Sequence, residues 1–278
     1  MQTVGRFAPS PSGRMHLGNV LCALLAWLSA RHQNGAFLLR IEDLDAMRCP
    51  RSYADLIMDD LRWLGLDWDG EVPYQSERAP IYEKYEQILR EKGLLYPCFC
   101  SRAALHAASA PHLSDGRVHV ADEIISFTDG VFGAYSENLA EECGDFIIRR
   151  SDGVFAYQLA VTVDDGLSGV TEVVRGSDLI SSTPRQIWLY RLFGFEPPHF
   201  VHIPLLCDVD GRRLSKRDED LDLGLLRERF SPEQVIGALA FAAGLTERAA
   251  PVSAKELVPS FDWNRVPTHE LYLPPVFR

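Results

Sequence analysis

Thr3-Val4-Gly5-Arg6-Phe7-Ala8-Pro9-Ser10-Pro11-Ser12-Gly13-Arg14-Met15-His16-Leu17-Gly18-Asn19 holds the start of a strand, a breaker loop and a helix entry within one short run. Residues 3–9 read as a strand that stops at Pro9, because proline has no N–H to give to a ladder. Pro9, Ser10, Pro11, Ser12 and Gly13 then break regular structure. Residues 17–31 read as a helix that is apolar all round, and so buried on most faces. Residues 36–41 form a second buried strand, followed by the acidic cluster Glu42-Asp43-Leu44-Asp45. Amphipathic helices follow over 53–64, ended by Gly65, and over 81–91, ended by Gly93. Strand, loop, helix, strand and helix in that order specify an α/β fold with a parallel sheet. Ligands bind such sheets at the carboxyl ends of the strands. Here that edge holds residues 9–18 and 42–45.

Further along, the spacing changes. Residues 101–145 are richer in Ala, Ser, Asp and Glu and have little periodicity, as expected of an insertion or a small second domain. Strands are expected over 146–150, 156–163, 170–174 and 199–206, and helices over 184–193 and 232–243. Asp208-Val209-Asp210-Gly211-Arg212-Arg213-Leu214-Ser215-Lys216-Arg217 is a polar, basic loop. The last thirty or so residues carry five prolines and read as an irregular tail.

Composition limits the function classes. The 278 residues are 46% apolar and 24% charged, ordinary values for a globular chain with a sizeable core. The longest apolar stretch, 20–28, is too short to span a bilayer, and the N-terminus lacks the layout of a secretory signal. Six cysteines without such a signal do not make a disulfide framework, which points to a reducing cytoplasm. The net charge of −11 gives no overall attraction to nucleic acid, so a nucleic-acid partner would need a local basic surface.

Two segments have the residue types for phosphate chemistry. In the first, His16 and Gly18 sit where a loop enters a helix. Free N–H groups and the helix dipole favour anions there, and Gly18 would let a nucleotide lie close to the backbone. The same residues also fit an ordinary helix entry with a satisfied histidine. In the second, Lys216 sits among cations on the 208–217 loop and could neutralise charge as a phosphate leaves, although a solvated basic loop has the same composition.

Taken together, these segments carry a resemblance. His16-Leu17-Gly18-Asn19 resembles the HIGH signature of class I aminoacyl-tRNA synthetases, and Arg213-Leu214-Ser215-Lys216-Arg217 resembles their KMSKS loop, with Arg213 in place of the commoner Lys. Arg40-Ile41-Glu42-Asp43-Leu44-Asp45, Leu64-Gly65-Leu66-Asp67-Trp68-Asp69, Tyr74-Gln75-Ser76-Glu77-Arg78, Ala156-Tyr157-Gln158-Leu159-Ala160-Val161 and Val174-Arg175-Gly176-Ser177-Asp178-Leu179 are similar to glutamyl-tRNA synthetases, in the same order. About sixty residues follow Arg217, too few for the helical anticodon-binding region of the full-length enzymes. Ser177-Asp178-Leu179 also resembles the short paralogues of that family, which attach glutamate to the queuosine base of tRNA(Asp).

The resemblance implies a Rossmann-like parallel sheet in four parts. These are the first half of the catalytic domain (1–97), an inserted acceptor-binding-like domain (98–165), the second half with the KMSKS-like loop (166–230), and a short helical or irregular C-terminal segment without an anticodon-binding domain (231–278). It implies ATP-dependent activation of L-glutamate, with Mg²⁺ bridging phosphates, and transfer to queuosine-containing tRNA(Asp) by a cytoplasmic monomer that contacts no membrane. Other outcomes of the same resemblance are a truncated glutamyl-tRNA synthetase that charges the tRNA 3′ end, or a catalytically silent module that binds tRNA. A different nucleotidyltransferase with a HIGH-like motif would leave the set Arg6, Glu42 and Arg175 without a purpose.

By position, Arg6 and Arg175 match glutamate-binding arginines, Glu42 the residue that meets the ammonium group, and Ser10 and Tyr157 further glutamate contacts. His16, Asn19 and Lys216 match the catalytic charge stabilisers, and His16, Gly18, Leu214, Ser215 and Lys216 the ATP contacts. No side-chain nucleophile is expected. Cys98 and Cys100 match two of the four zinc ligands of many relatives, but the later Tyr-x-x-x-Cys is missing; with only His106, His112 and His119 nearby to substitute, two thiols left from a lost site are expected and no metal ligand is assigned. Arg149, Arg150, Arg185, Arg191 and the 212–217 cations are the candidates for contact with RNA.

Overall fold

Residues 2–98, 115–208 and 222–277 are described by the computed structural model. The first half of the chain forms β1 (Val4–Phe7), α1 (Leu17–His32), β2 (Ala36–Leu39), α2 (Arg51–Trp63), α3 (Ala79–Glu91) and β3 (Leu95–Cys98). Next come β4 (Asp115–Val118), β5 (Ile124–Asp129), β6 (Gly133–Asn138), β7 (Phe146–Arg149), α4 (Tyr157–Leu167) and β8 (Glu172–Gly176). The remainder forms α5 (Thr183–Phe193), β9 (His199–Ile203), β10 (Leu206–Cys207), α6 (Leu223–Arg229), α7 (Pro232–Ala242), α8 (Ala254–Leu257) and β11 (Leu271–Tyr272).

Two parallel pairs form the centre. β1 runs with β2, Val4 opposite Ala36 and Phe7 opposite Leu39. β8 runs with β9, Arg175 opposite His202. Just before β8, Thr171 donates its N–H to the Val4 carbonyl (2.9 Å) and accepts from the Val4 N–H through its hydroxyl (2.9 Å). The ladder between β1 and β8 goes no further. Instead an Arg6 side-chain N–H takes the Val174 carbonyl at 3.2 Å. The unpaired space at the carboxyl ends of these two strands is where an open α/β sheet binds ligands.

Alternate residues of this sheet enter different cores. Phe7, Phe37, Leu39, Val174 and Val201 join α1, α6 and α7 on one face. Val173 and Phe200 join α3, α4, α5 and β7 on the other. The sheet is therefore covered on both sides, which explains why its strands read as continuous apolar runs. α1 supplies Leu17, Leu21, Leu24, Leu25 and Leu28, each at most 1% exposed. Burying each contributes about 1.5–3 kcal/mol.

The expectations for 156–163, for the tail and for 199–206 are corrected. Residues 156–163 are not a strand; 157–167 form α4. Val161, Thr162 and Val163 carry the strand preference of β-branched residues, but every residue from Leu159 to Asp165 is buried, so no polar face marks the helical period. Within 101–145, the described residues contain β4 and the antiparallel hairpin β5–β6, in which Ile124 faces Asn138 and Asp129 faces Gly133. The sequence of β6, Gly-Ala-Tyr-Ser-Glu-Asn, has too few apolar residues for strand alternation to be visible. The tail is not wholly irregular: β11 lies parallel to β10, Leu271 beside Leu206 and Tyr272 beside Cys207. The strand expected over 199–206 stops at Ile203, where Pro204 interrupts it.

Candidate active site

A cleft of about 310 Å³ opens where β1 and β8 part. Arg6, Ser10, His16, Gly18, Asn19, Glu42, Tyr157 and Arg175 all line it. The structure thus brings together, from five separate stretches of chain, every glutamate-contact candidate and His16, Gly18 and Asn19 of the HIGH-like segment, while Leu17 turns into the core. Arg213, Leu214, Ser215, Lys216 and Arg217 lie outside the described residues. The chain on either side of them is at the site: Leu206 lines the cleft, and Asp222 is bridged to His16, with the Leu223 N–H donating to the Met15 carbonyl at 3.1 Å.

His16 is the N-cap of α1. Its Nδ1 accepts from the Gly18 N–H at 3.1 Å, while the Asn19 side-chain oxygen accepts from the His16 N–H at 3.3 Å. The imidazole proton is therefore on Nε2. The helix-entry and ligand roles of His16 are compatible, since one ring nitrogen caps the helix and the ring lines the cleft. Gly18 has a local reason as well. A Cβ there would stand 3.0 Å from His16 Cε1 and 3.1 Å from Nδ1, crowding the capping ring.

The two arginines differ in how their charge is balanced. Arg6 is buried, and its Nε donates to Asp165 at 3.3 Å. Asp165 also accepts from Arg40 at 2.6 Å, and Arg40 reaches Glu42 at 3.0 Å. Burial opposes charge on Arg6, but Asp165, Tyr157 and Glu42 together outweigh it and keep the guanidinium protonated. Burial likewise works against the Asp165 carboxyl, yet Arg40 and Arg6 hold it below the usual range. Glu42 goes the other way: burial pushes its carboxyl up despite Arg40 and Arg6.

Arg175 has no carboxylate within ion-pair distance among the described residues. It donates to Gln186 Oε1 (2.7 Å), Thr183 Oγ1 (2.7 Å), the Leu179 carbonyl (3.4 Å) and His202 Nε2 (3.1 Å). Burial lowers its pKa from the ordinary arginine value. A buried cation without a contacting anion carries a desolvation cost that an incoming carboxylate would relieve. Cys22 also lines the cleft, but burial pushes its thiol up to about 11, so it is not a thiolate nucleophile near neutral pH.

Comparison with known proteins gives the family. The profile described as tRNA synthetases class I (E and Q), catalytic domain, matches residues 2–117 and 105–270. The glutamyl-Q tRNA(Asp) synthetase of Symbiobacterium thermophilum is 46% identical, with 97% of this chain and 95% of that protein aligned. That of Nitratidesulfovibrio vulgaris is 43% identical over the same shares. The chain belongs to the class I tRNA synthetases and, within them, to the glutamyl-Q tRNA(Asp) synthetase family. A crystal structure of a glutamate tRNA ligase from Elizabethkingia meningosepticum in complex with its amino acid superposes with a TM-score of 0.86 at 26% identity, over all of this chain and 68% of that one.

In this member of the glutamyl-Q tRNA(Asp) synthetase family, most of the described candidates for RNA contact are ion-paired. Arg149 pairs with Glu86, Arg150 with Asp45 and Asp152, and Arg191 with Glu123, while Arg185 donates to the Ser181 carbonyl. Three of these four candidate RNA contacts are thus already matched to acids. At the cysteine pair, Cys98 ends β3, His119 lies 3.2 Å from Asp145, and Cys100, His106 and His112 lie outside the described residues. Among the described residues no helix is long and apolar enough to cross a membrane.

Sequence reasoning assigned no role to several residues that shape the site. Asp165 and Arg40 anchor Arg6 and Glu42, and Asp178 lines the cleft. The signal was available: two adjacent aspartates, 164 and 165, inside an otherwise apolar run demand buried cations. His202 and Asp129 left no such trace, because only the fold brings them to Arg175.

Proposed function

We propose that this chain activates L-glutamate with ATP and transfers the glutamyl group to the queuosine base of tRNA(Asp), acting as a cytoplasmic monomer. The observation that carries the proposal is one cleft in which Arg6 and Arg175 face the same space as Glu42 and the His16 helix entry. A dicarboxylate with an ammonium group needs that set of charges. Arg175 and Arg6 take the carboxylates: Arg6, with only Nε and one Nη1 N–H committed among the described residues, can donate two N–H groups to one carboxylate, and Arg175 adds its charge and the N–H its other bonds leave over. Glu42 meets the ammonium, and Ser10 and Tyr157 complete the contacts.

The chemistry needs no side-chain nucleophile. The α-carboxylate of glutamate attacks the α-phosphorus of ATP, the bond to the β-phosphate breaks, and pyrophosphate leaves. A queuosine hydroxyl then attacks the glutamyl carbonyl and AMP departs. The protein contributes position and charge complementarity. His16, Asn19 and Lys216 stabilise charge on the phosphates, with Gly18, Leu214 and Ser215 along the nucleotide. Among the described residues no group of three or more His, Cys, Asp or Glu could hold a metal; a magnesium ion arriving with ATP would supply charge neutralisation at the phosphates.

The domain proposal follows the same division: 1–97 and 166–230 form the catalytic halves, 98–165 the inserted acceptor-side part and 231–278 the C-terminal segment. The test is glutamate-dependent ATP–pyrophosphate exchange without tRNA, followed by transfer to tRNA(Asp) with and without queuosine and to tRNA(Glu). Exchange together with transfer only to the queuosine form is expected. Charging of the tRNA(Glu) 3′ end would overturn the proposal.

A further inference from the structure

Arg175 has a second layer of support behind it. Directly opposite on β9 stands His202, fully buried. Its Nε2 is 3.1 Å from Arg175 Nε, and its Nδ1 is 2.6 Å from Asp129 Oδ2. Asp129, at the end of β5 and 3% exposed, also accepts from the backbone N–H groups of His202 (3.0 Å), Val131 (3.0 Å) and Phe132 (2.9 Å). A carboxylate that accepts from three backbone N–H groups is held ionised and is an acceptor only. Nδ1 must therefore carry the proton, and Nε2 must present its lone pair to the Arg175 N–H.

We propose that Asp129 and His202 are positioning residues that fix Arg175 for the substrate carboxylate by locking one imidazole tautomer. This rests on the reading that Arg175 binds glutamate. The counter-charge of the arginine sits one ring away and not in contact with it, so among the described residues no carboxylate competes with the ligand for the guanidinium edge. Burial pushes His202 towards its neutral form, with the Arg175 charge acting in the same direction. For Asp129 burial works the other way, but the His202 hydrogen bond and the two backbone donors outweigh it and hold the carboxyl low. The relay also ties the hairpin to the cleft. Gly130 donates to the Phe200 carbonyl at 3.0 Å, and a Cβ on it would come within 2.8 Å of Val201, so β5 can seat this close to β9 only with glycine there.

Asp129→Asn tests the inference. Whichever way the amide turns, its NH₂ meets an N–H group. Turned towards His202 it moves the ring proton to Nε2, against Arg175. The expected result, in glutamate-dependent pyrophosphate exchange, is a glutamate KM raised about 10- to 100-fold with the ATP KM within about twofold. His202→Gln keeps an acceptor near Nε2 and should stay close to the parent KM, whereas His202→Leu should match Asp129→Asn. A purely structural role would lower Tm in all three without that split. Should Asp129→Asn not fold, the two His202 variants decide the matter alone. The inference fails if Asp129→Asn leaves the glutamate KM within twofold, or if His202→Gln and His202→Leu raise it equally. Arg175→Lys separates this from the pocket reading: if that variant leaves the glutamate KM unchanged, the assignment of Arg175 to glutamate itself is wrong.

Discussion

Asp165 lies between two buried guanidinium groups, with Arg6 at 3.3 Å and Arg40 at 2.6 Å. Removing one member of a buried pair leaves the other's charge uncompensated, at a cost of about 3–5 kcal/mol. Asp165→Ala should lose stability on that scale in urea denaturation, and Asp165→Asn less. Glu42 sets a pH dependence. Burial raises its carboxyl pKa, so it loses its charge sooner than an ordinary glutamate as pH falls. The glutamate KM should therefore climb on acidification while the ATP KM holds, and Glu42→Gln should show a high KM without that slope. His16→Ala removes a helix cap, costing about 1 kcal/mol of stability. On the proposed role it also lowers exchange by on the order of 100-fold. At this scale the sequence was legible wherever a residue belonged to a motif and silent wherever its partner came from far away. His202 reads as one histidine in an apolar strand, and only the parallel register of β8 and β9 sets it against Arg175.

Among the elements, α1 and α4 show the two outcomes of burial. Both are hidden on almost every face, and both lack the polar stripe that betrays a helix. α1 was readable because its sixteen residues exceed the length of a strand and are rich in Leu and Ala. α4 was not, because Tyr157, Val161, Thr162 and Val163 prefer strands and only packing against α5 overrides them. Leu24→Ala in α1 should cost about 2–5 kcal/mol, since Leu24 is fully buried and a packed core relaxes only partly into such a space. The strand pairs β1–β2 and β8–β9 were legible as apolar runs, and their separation was not. The break in the ladder depends on an arginine side chain taking a carbonyl that a neighbouring strand would otherwise use.

At the scale of the whole molecule, acid should be the main threat. Asp165 and Asp129 are both held below the usual aspartate range of about 3.9 in the folded state. Their contribution is complete above the unfolded pKa and drains away as pH falls through the depressed folded values. Thermal melts should hold steady near neutrality and fall steeply in that acid window, and Asp129→Asn should flatten part of the drop. Net charge was legible directly from the sequence, and the pairing of Arg149, Arg150 and Arg191 with acids was not. The contact between β10 and β11 has a further consequence. It clasps the far end of the chain to residues just ahead of the 209–221 stretch, and the bridge from Asp222 to His16 grips the other side. A protease cut in that stretch would leave two fragments fastened at both margins of the wound, so the nicked protein should still travel as one particle in gel filtration after it has stopped turning over.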